Sequence, residues 1–464
     1  KKNMVDNFKI AGGHKDTVGS VNNILKEGGN AFDAAIAGVF ASMSCEYLYT
    51  GAASGGAMLV KKNGFTADII DFFVETPSIN PSKVNDFKAI NANFGNTKQE
   101  FNIGAGSVAI PGTLPGLIQI HKEYGSLPFS VLVEQAIDIS KKGCLVSKNQ
   151  EYLSEVLSPI ISSSKVLKSL FIKDGSLLKE GDLFFNTEFA SFLDQFLYED
   201  ATTFYRHEVC PLFYNSFKGG GIIELKNLQD YTPKKRSPLK LKYRGHQIFM
   251  NPEPSTGGML INTGLKELGG LDVVSKQDIE GALHKIKKFK DQDMVGSTTH
   301  LSVIDKENNV ASVTTTNGVG AGFTVPGTGI MPNNMLGEKH LNINGFHNWK
   351  SQQRIPSNIC PTLIVDKNNN LTTLGSAGSS RIISATMSVI SNLLNNEMSL
   401  KRSISKSRIH LEGDTLHCEP SNSHPKYKTE NVVIWKGKNM YFGGVNACSS
   451  FESVGDERRS GVSV

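Results

Sequence analysis

A pair of threonine-rich segments is the part of this sequence whose residue types and spacing point most directly to chemistry. Residues 298–305 and 309–316 alternate in polarity and are joined by a short polar turn, which is typical of a β-hairpin. A turn centred on Glu307 makes Thr298 the cross-strand neighbour of Thr316. A threonine hydroxyl becomes a nucleophile when a base accepts its proton, so this pair is a candidate for covalent catalysis.

Alternation along the two strands separates the hairpin into two faces. We expect one face to pack in the core, and it carries Thr299, Leu301, Val303, Ala311 and Val313. The other face is expected on the exposed side of the hairpin, and it carries Thr298, His300, Ser302, Ser312, Thr314 and Thr316. Because threonine favours strands in general, these hydroxyls alone do not separate a site from an ordinary strand.

Two glycine-bearing turns downstream of the hairpin offer backbone N–H groups for a developing oxyanion. They lie at residues 326–329 and 375–380. The residues alone leave both turns open as the partner of a threonine nucleophile.

The elements that must position this chemistry begin near the start of the sequence. Apolar residues at helical spacing over 18–25 are followed by Gly28, which predicts a helix that ends at a glycine. Asn30 is placed to cap a second helix over 31–43, whose nearly all-apolar surface favours burial against a sheet. A glycine-rich turn at 51–56 then leads into a predicted strand over 57–60.

The rest of the segment before the hairpin reads as helices and one further strand. Helical periodicity in pieces over 117–230 predicts a helical layer, and residues 247–250 predict a strand. The polar run at 285–290, together with Asp291 and Asp293, predicts an exposed linker that leads to the hairpin.

Composition is that of an ordinary globular enzyme. The chain has 464 residues, 39% hydrophobic content, 20% charged content and a net charge of only +5, so we expect no nucleic-acid surface. No apolar run reaches the roughly 20 residues that span a bilayer, and the chain starts at Lys1 without an apolar signal region. The compartment stays open.

No metal site is predicted. The six cysteines are widely separated and are expected as buried thiols or, less favourably, disulfides; they are Cys45, Cys144, Cys210, Cys360, Cys418 and Cys448. His410 and His417 are expected at two strand ends joined by a turn at Gly413, and no third ligand has the spacing that zinc requires.

Sequence blocks along nearly the whole chain resemble one known family. They are residues 28–35, 54–59, 111–113, 243–245, 254–258, 298–300, 333–334, 361–362, 375–376 and 380–382. These blocks, in this order, resemble the gamma-glutamyltranspeptidases (glutathione hydrolases) of the N-terminal-nucleophile hydrolase superfamily. The resemblance implies an α+β fold built as a four-layer αββα sandwich, no cofactor, and a periplasmic or secreted location as one option.

The resemblance also implies self-processing. The precursor would cut itself between Ser297 and Thr298, giving a large subunit region, 1–297, and a small one, 298–464, that together form one fold. Thr298 would then be both nucleophile and base, because its new α-amine, with an unperturbed pKa of about 8, can take the hydroxyl proton. Water, an amino acid or a peptide would resolve the acyl-enzyme.

Further site residues follow from matching positions in the family's motifs. Thr316 matches a threonine that hydrogen-bonds the nucleophile, and Gly378 and Ser379 match the two residues whose amides form the oxyanion hole. His300 matches a histidine that is not the family's base, so we expect a structural role for it.

Substrate-binding positions match only in part. Glu338 matches an acid that binds the substrate α-amino group, and Ser357 and Asn358 occupy the positions of two serines near the carboxylate site. Phe73 stands where the family has a carboxylate-binding arginine, which Arg354 or Arg381 would have to replace. Two other pocket positions also depart from the family pattern; they are Gly318 and Met335.

Three functions therefore stay open. The first is cleavage of gamma-glutamyl amides of the glutathione type, by hydrolysis or by transfer. The second is an acylase of the same fold acting on another amide, with Phe73 and Met335 forming an apolar acyl pocket. The third is a catalytically silent homologue, which would never cut itself.

Overall fold

The computed structural model describes residues 8–78, 84–93, 98–289, 297–342 and 344–464. The helices are α1 (Lys15–Lys26), α2 (Ala31–Cys45), α3 (Thr113–Tyr124), α4 (Phe129–Lys142), α5 (Lys148–Val156), α6 (Ser158–Ile161), α7 (Lys165–Phe171), α8 (Thr187–Asp194), α9 (Ala201–Phe204), α10 (Cys210–Phe217), α11 (Leu225–Asp230), α12 (Gly257–Leu268), α13 (Lys276–Lys287), α14 (Arg381–Leu394) and α15 (Leu400–Ser405). The strands are β1 (Lys9–Gly12), β2 (Gly55–Lys61), β3 (Asp68–Phe72), β4 (Lys88–Asn93), β5 (Lys98–Ile103), β6 (Cys144–Leu145), β7 (Ile172–Lys173), β8 (Ser176–Leu177), β9 (Leu183–Phe184), β10 (Lys234–Arg236), β11 (Leu239–Tyr243), β12 (His246–Met250), β13 (Ser297–Ile304), β14 (Val310–Gly318), β15 (Thr362–Val365), β16 (Leu371–Ala377), β17 (Ile409–Glu412), β18 (Thr415–Cys418), β19 (Asn431–Ile434), β20 (Gly444–Ser449), β21 (Ser453–Val454) and β22 (Val462–Ser463).

Two sheets pack face to face in the centre of the molecule. One has seven strands in the order β10-β3-β2-β14-β13-β1-β22, and the other has six in the order β11-β12-β15-β16-β20-β21. Strand β13 of the first sheet contacts β16 and β20 of the second. Helices α1 and α2 cover the outer side of the first sheet, α4 packs on α2, and α12 and α14 cover the second sheet. The predicted αββα sandwich is confirmed.

The first helices form where the sequence predicts them. Helix α1 ends just before Gly28, whose φ of 95° is readily adopted only by glycine. The Asn30 side chain accepts hydrogen bonds from the backbone of Phe32 and Asp33 and so caps α2. Every residue of α2 is buried, because this helix lies between the first sheet and α4.

The hairpin is formed by β13 and β14, and its register agrees with the prediction except at the nucleophile. Val303 pairs with Ala311 and Thr299 with Thr315, but Ser297 pairs with Gly318. The register therefore shifts at Thr298, which faces a β-bulge of two residues rather than Thr316 alone. The predicted one-to-one pairing of Thr298 with Thr316 is wrong.

The hydroxyl-bearing face of the hairpin is buried, not exposed as predicted. All residues of β13 and β14 are buried, because this face packs against the second sheet. Asn446 Nδ2 donates to the His300 carbonyl at 2.9 Å, and a Cβ on Gly375 would lie 2.3 Å from the His300 ring.

The predicted linker before the hairpin is also partly wrong. Residues 285–287 belong to α13, an amphipathic helix whose apolar side packs against α12. Asp291 and Asp293 lie outside the described residues.

Three features limit the sites that the fold offers. All six cysteines are free and buried. No described helix is long and apolar enough to cross a membrane. Within the described ranges, no cluster of histidine, cysteine and acidic side chains has the geometry of a metal site. His410 and His417 do lie on paired strands, β17 and β18, around the predicted turn.

Candidate active site

A pocket at the end of the β13–β14 hairpin brings most of the predicted site residues together. We call it the threonine pocket; it encloses about 350 Å³ including the part open to solvent, and it is lined by Phe73, Thr298, Thr316, Gly318, Met335, Glu338, His340, Leu341, Ser357, Asn358, Ile359, Ser379 and Ile382. The two remaining predicted residues, Ser297 and Gly378, directly precede Thr298 and Ser379 in the chain.

The second threonine contacts the peptide bond before the nucleophile. Thr316 Oγ1 donates a hydrogen bond to the carbonyl oxygen of Ser297 and accepts one from the Gly318 N–H at 3.2 Å. In the intact chain Thr316 therefore polarises the carbonyl of the Ser297–Thr298 bond. The bulge in β14 makes this contact possible, because it moves Thr316 out of the regular pairing between β13 and β14.

The opposite face of the hairpin is clamped by residues that follow α2. Thr299 Oγ1 donates to Glu46 Oε1 at 2.7 Å, and Thr50 Oγ1 donates to Thr315 Oγ1 at 2.8 Å. Glu46 is buried, and its other oxygen accepts from Thr17 at 2.8 Å. These bonds hold the residue next to Thr298. The role of Glu46 could not be predicted from the sequence, because its partners Thr299 and Thr17 are distant in the chain.

Only one of the two candidate glycine turns reaches the threonine pocket. Gly378 and Ser379 connect β16 to α14 with φ angles of 115° and 52°. Their carbonyl oxygens accept from the N–H groups of Arg381 and Ile382 at 3.0 and 3.1 Å, so the turn leads directly into α14. The turn at 326–329 lies elsewhere, where the Gly329 carbonyl accepts from Tyr47 Oη at 2.8 Å.

The predicted carboxylate-site residues are held by the proline- and glycine-rich loop at 252–258, which leads into α12. The Ser357 carbonyl accepts from Ser255 Oγ at 2.9 Å, and Asn358 Oδ1 accepts from Thr256 Oγ1 at 3.0 Å. A Cβ on Gly257 would lie only 2.2 Å from the Asn358 carbonyl oxygen, so this position requires glycine. The loop fixes the wall of the pocket.

Glu338 is the acid of the threonine pocket, and it is 2% exposed. Its Oε1 has no hydrogen-bond partner within the described part of the chain, and its Oε2 lies 3.6 Å from His340 Nε2. Burial raises the pKa of Glu338 to about 8. The lack of a side chain on Gly318 leaves room for it, because a Cβ there would meet Glu338 Oε1 at 2.4 Å.

This shift predicts a pH-dependent effect of Glu338→Gln on stability. Since the pKa of Glu338 rises from its ordinary value of 4.5 to about 8 on folding, the folded chain holds a proton that the unfolded chain has lost between these values. The free energy of unfolding therefore falls as pH rises from about 4.5 to about 8. We expect the melting temperature of Glu338→Gln to rise relative to that of wild type as the pH increases from about 4.5 to about 8. Above this range the difference between the two melting temperatures should stay constant.

Thermal unfolding from about pH 5 to pH 9 measures this difference. The matched control is Glu457→Gln at a side chain that is 67% exposed, which should follow wild type at every pH. A Glu338→Gln difference that does not change with pH would contradict the assignment.

The missing carboxylate anchor is not replaced by either candidate arginine. Arg354 Nη2 lies 3.0 Å from Glu75 Oε1 and its Nε lies 3.7 Å from Asp71 Oδ2. Arg381 Nη2 lies 3.0 Å from Glu412 Oε2. Both guanidinium groups are held outside the threonine pocket, and no lysine or arginine is among the described residues that line it. Phe73 lines the pocket instead.

His300 lies outside the pocket lining. Its Nδ1 lies 2.7 Å from Thr314 Oγ1 and its Nε2 lies 3.0 Å from Ser302 Oγ, both between the two sheets. Burial lowers the pKa of His300 to about 3, so the ring is neutral. A structural role agrees with these contacts.

Four pocket residues were not predicted from the sequence; they are His340, Leu341, Ile359 and Ile382. In the sequence, the two isoleucines and the leucine cannot be distinguished from ordinary core residues. His340 was detectable as the histidine two positions after Glu338 in the sequence.

Comparison with known proteins decides the family. The family model described as Gamma-glutamyltranspeptidase matches residues 19–286 and 273–447. The chain belongs to the gamma-glutamyltranspeptidase family. It is therefore an enzyme fold of the N-terminal-nucleophile amidohydrolase type, and the resemblance found in the sequence is confirmed.

Relatives within the gamma-glutamyltranspeptidase family carry different names. The Glutathione hydrolase proenzyme of Escherichia coli (strain K12) is 24% identical over 456 residues, covering 84% of this chain and 78% of that protein. The Acylase ACY 1 proenzyme of Pseudomonas sp. (strain SE83) is 24% identical over 456 residues, covering 85% and 81%. The crystal structure of cephalosporin acylase from Bacillus halodurans has a TM-score of 0.81 at 19% identity over 100% of this chain and 97% of that one, which shows the same fold.

Proposed function

We propose that this chain is a self-processing amidohydrolase whose nucleophile is Thr298 and whose substrate is an amide with a mainly apolar, uncharged acyl group. The observation that carries the substrate assignment is the composition of the threonine pocket. Its walls include Phe73, Met335 and Leu341, and its described lining holds no lysine or arginine to bind a carboxylate. Its one carboxyl, Glu338, is neutral at pH 7 because burial raises its pKa to about 8.

The proposed reaction starts with self-cleavage. The Thr298 hydroxyl attacks the Ser297 carbonyl, which Thr316 polarises by its hydrogen bond. The C–N bond breaks, the nitrogen takes up the hydroxyl proton and becomes an α-amine, and water then hydrolyses the resulting ester. The products are subunits 1–297 and 298–464. Both stay in one fold because β13 and β14 of the small subunit pair with β1 and β2 of the large one.

The mature site then works on amides by the same chemistry. The α-amine of Thr298 accepts the hydroxyl proton as the oxygen attacks the substrate carbonyl, and it returns that proton to the leaving amine. The N–H groups of Gly378 and Ser379 stabilise the negative oxygen of the tetrahedral intermediate, a contribution of about 3 kcal/mol for one such donor. Water or an amine acceptor resolves the acyl-enzyme.

A panel of p-nitroanilides tests the substrate class. Phenylacetyl-, hexanoyl- and gamma-glutamyl-p-nitroanilide are compared by the absorbance of released p-nitroaniline. We expect the uncharged anilides to have kcat/KM at least about tenfold above the gamma-glutamyl compound, because the latter buries a carboxylate without a cation. Thr298→Ala is the background control. A preference for the gamma-glutamyl compound would overturn the assignment.

Gamma-glutamyl amides are the second candidate. Glu338, Ser357 and Asn358 line the pocket at positions that match the family's glutamyl-binding residues, and a glutathione hydrolase is among the relatives. Glu338→Gln separates the two candidates, because binding of a glutamyl amine needs the ionised acid. It should raise KM for an amine-bearing substrate and leave KM for an uncharged one nearly unchanged.

A silent homologue is the third alternative. It predicts a single full-length band on a denaturing gel and no turnover of any anilide. Two bands together with turnover of one anilide would exclude it.

A further inference from the structure

Two buried arginines lie on either side of the turn at 378–380. Arg381 is 0% exposed and is the first residue of α14, directly after the turn. Arg459 is 7% exposed and approaches from the C-terminal segment, with Nη2 3.1 Å from the point that a Cβ on Gly378 would occupy. The Arg381 Cβ lies 3.4 Å from the same point. Both arginine side chains therefore lie beside Gly378.

Arg381 is fixed by a network outside the threonine pocket. Its Nη2 lies 3.0 Å from Glu412 Oε2, and its Nη1 donates to Ser380 Oγ at 3.0 Å. The Tyr441 ring covers it with the centroid 4.1 Å from Cζ, and Tyr441 Oη donates to the same Glu412 oxygen. Ser380 is part of the turn, so this network is connected directly to it.

Arg459 is buried without a comparable network. Its Nε and Nη1 have no hydrogen-bond partner among the described residues. Burying a charge without a partner is unfavourable, so packing alone does not account for an arginine at this position. A positive charge beside Gly378 becomes favourable when negative charge develops at the N–H groups of the turn, as it does in a tetrahedral intermediate.

We propose that Arg381 and Arg459 are positioning residues that hold the 378–380 turn in its strained conformation and make its N–H groups a better site for an oxyanion. This inference rests on the proposed function only in taking Thr298 as the nucleophile. It does not depend on which acyl group is the substrate. The two arginines act through the turn and do not line the threonine pocket.

A boronic acid and an uncharged alcohol of similar shape separate this role from simple packing. Benzylboronic acid accepts an electron pair from the Thr298 oxygen, whose proton passes to the α-amine, and the anionic tetrahedral boron mimics the intermediate. Phenethyl alcohol carries no charge and fills the same acyl pocket without forming that adduct. Both affinities are measured on the cleaved protein by inhibition or by the shift in melting temperature.

Arg459→Met should weaken the boronate about 10- to 100-fold and lower kcat by a similar factor. KM and the affinity for phenethyl alcohol should stay within about twofold of wild type, because they report the ground state. Arg459→Lys should recover most of the loss, since it keeps the charge.

Tyr441→Phe, which removes one bond to Glu412, should give a smaller loss of the same kind. Arg402→Met, at an exposed position on α15, is the matched control.

Equal changes in the affinities for the boronate and for phenethyl alcohol, or no change in either, would overturn the proposal. So would a loss of kcat that Arg459→Lys does not restore while its melting temperature equals that of wild type. If wild type hydrolyses no anilide but binds the boronate, the substrate assignment fails and the two affinities still test the arginines. Failure of the cleaved wild type to bind the boronate would overturn both.

Discussion

Thr298→Ala is expected to yield a single uncut chain with no detectable turnover. The substitution removes the hydroxyl of the residue that directly follows the Ser297 carbonyl, and the α-amine at this position is never released. Loss of a nucleophile of this kind typically lowers kcat by at least about 10⁴-fold. A denaturing gel and intact mass measurement check the cleavage, and release of p-nitroaniline checks the turnover.

Two further variants make this result specific. Thr298→Ser keeps a hydroxyl and should still produce fragments that end at Ser297, at a reduced rate. Thr263→Val removes a threonine hydroxyl that bonds the Met259 carbonyl on α12, far from the pocket, and should behave as wild type. Cutting of Thr298→Ala at the same bond would show that another group performs the cleavage.

The parts of the fold that were predictable depend on local patterns. The register of the hairpin follows from alternation and turn position, and it is correct from Thr299 onward. The cap at Asn30 and the glycine stop at Gly28 are likewise set by neighbouring residues. The αββα arrangement came from the family resemblance and not from these patterns.

The parts that were not predictable depend on residues that are distant in the chain. The bulge at Thr298 forms where β14 also pairs with β2, at Thr316 and Gly55. The hydroxyl face is buried because a second sheet, supplied by other segments, covers it. Arg381 is withdrawn from the pocket by Glu412, whose position beside it no sequence pattern indicates.

The chemistry of the pocket shows the same division. The residue type of Glu338 is visible in the sequence, but its pKa of about 8 results from burial and from the space left by Gly318. The matched motif therefore predicts an amine-binding acid, whereas its surroundings favour an uncharged partner at pH 7. For this reason the substrate has to be inferred from the environment of each residue as well as from its identity.

Thr316→Val should leave the fold intact and slow self-cleavage about 10²- to 10³-fold. Valine has nearly the same shape as threonine but cannot donate to the Ser297 carbonyl, so negative charge that develops on this oxygen loses its donor. The Gly318 N–H also loses an acceptor, which should lower the free energy of unfolding by only about 1 kcal/mol. The rate is measured by following the full-length band on denaturing gels after synthesis.

Thr316→Ser is the matched variant for this experiment, because it keeps the hydroxyl and removes only a methyl group. It should cleave within about tenfold of wild type, whereas Thr316→Val should accumulate as a folded precursor with a cooperative melting transition. Rapid cleavage of Thr316→Val would mean that the contact seen between Thr316 and the Ser297 carbonyl has no part in the reaction. The negative charge that develops on the Ser297 carbonyl oxygen would then have to be stabilised by another donor, for which the N–H groups of the 378–380 turn in the same pocket are the candidates.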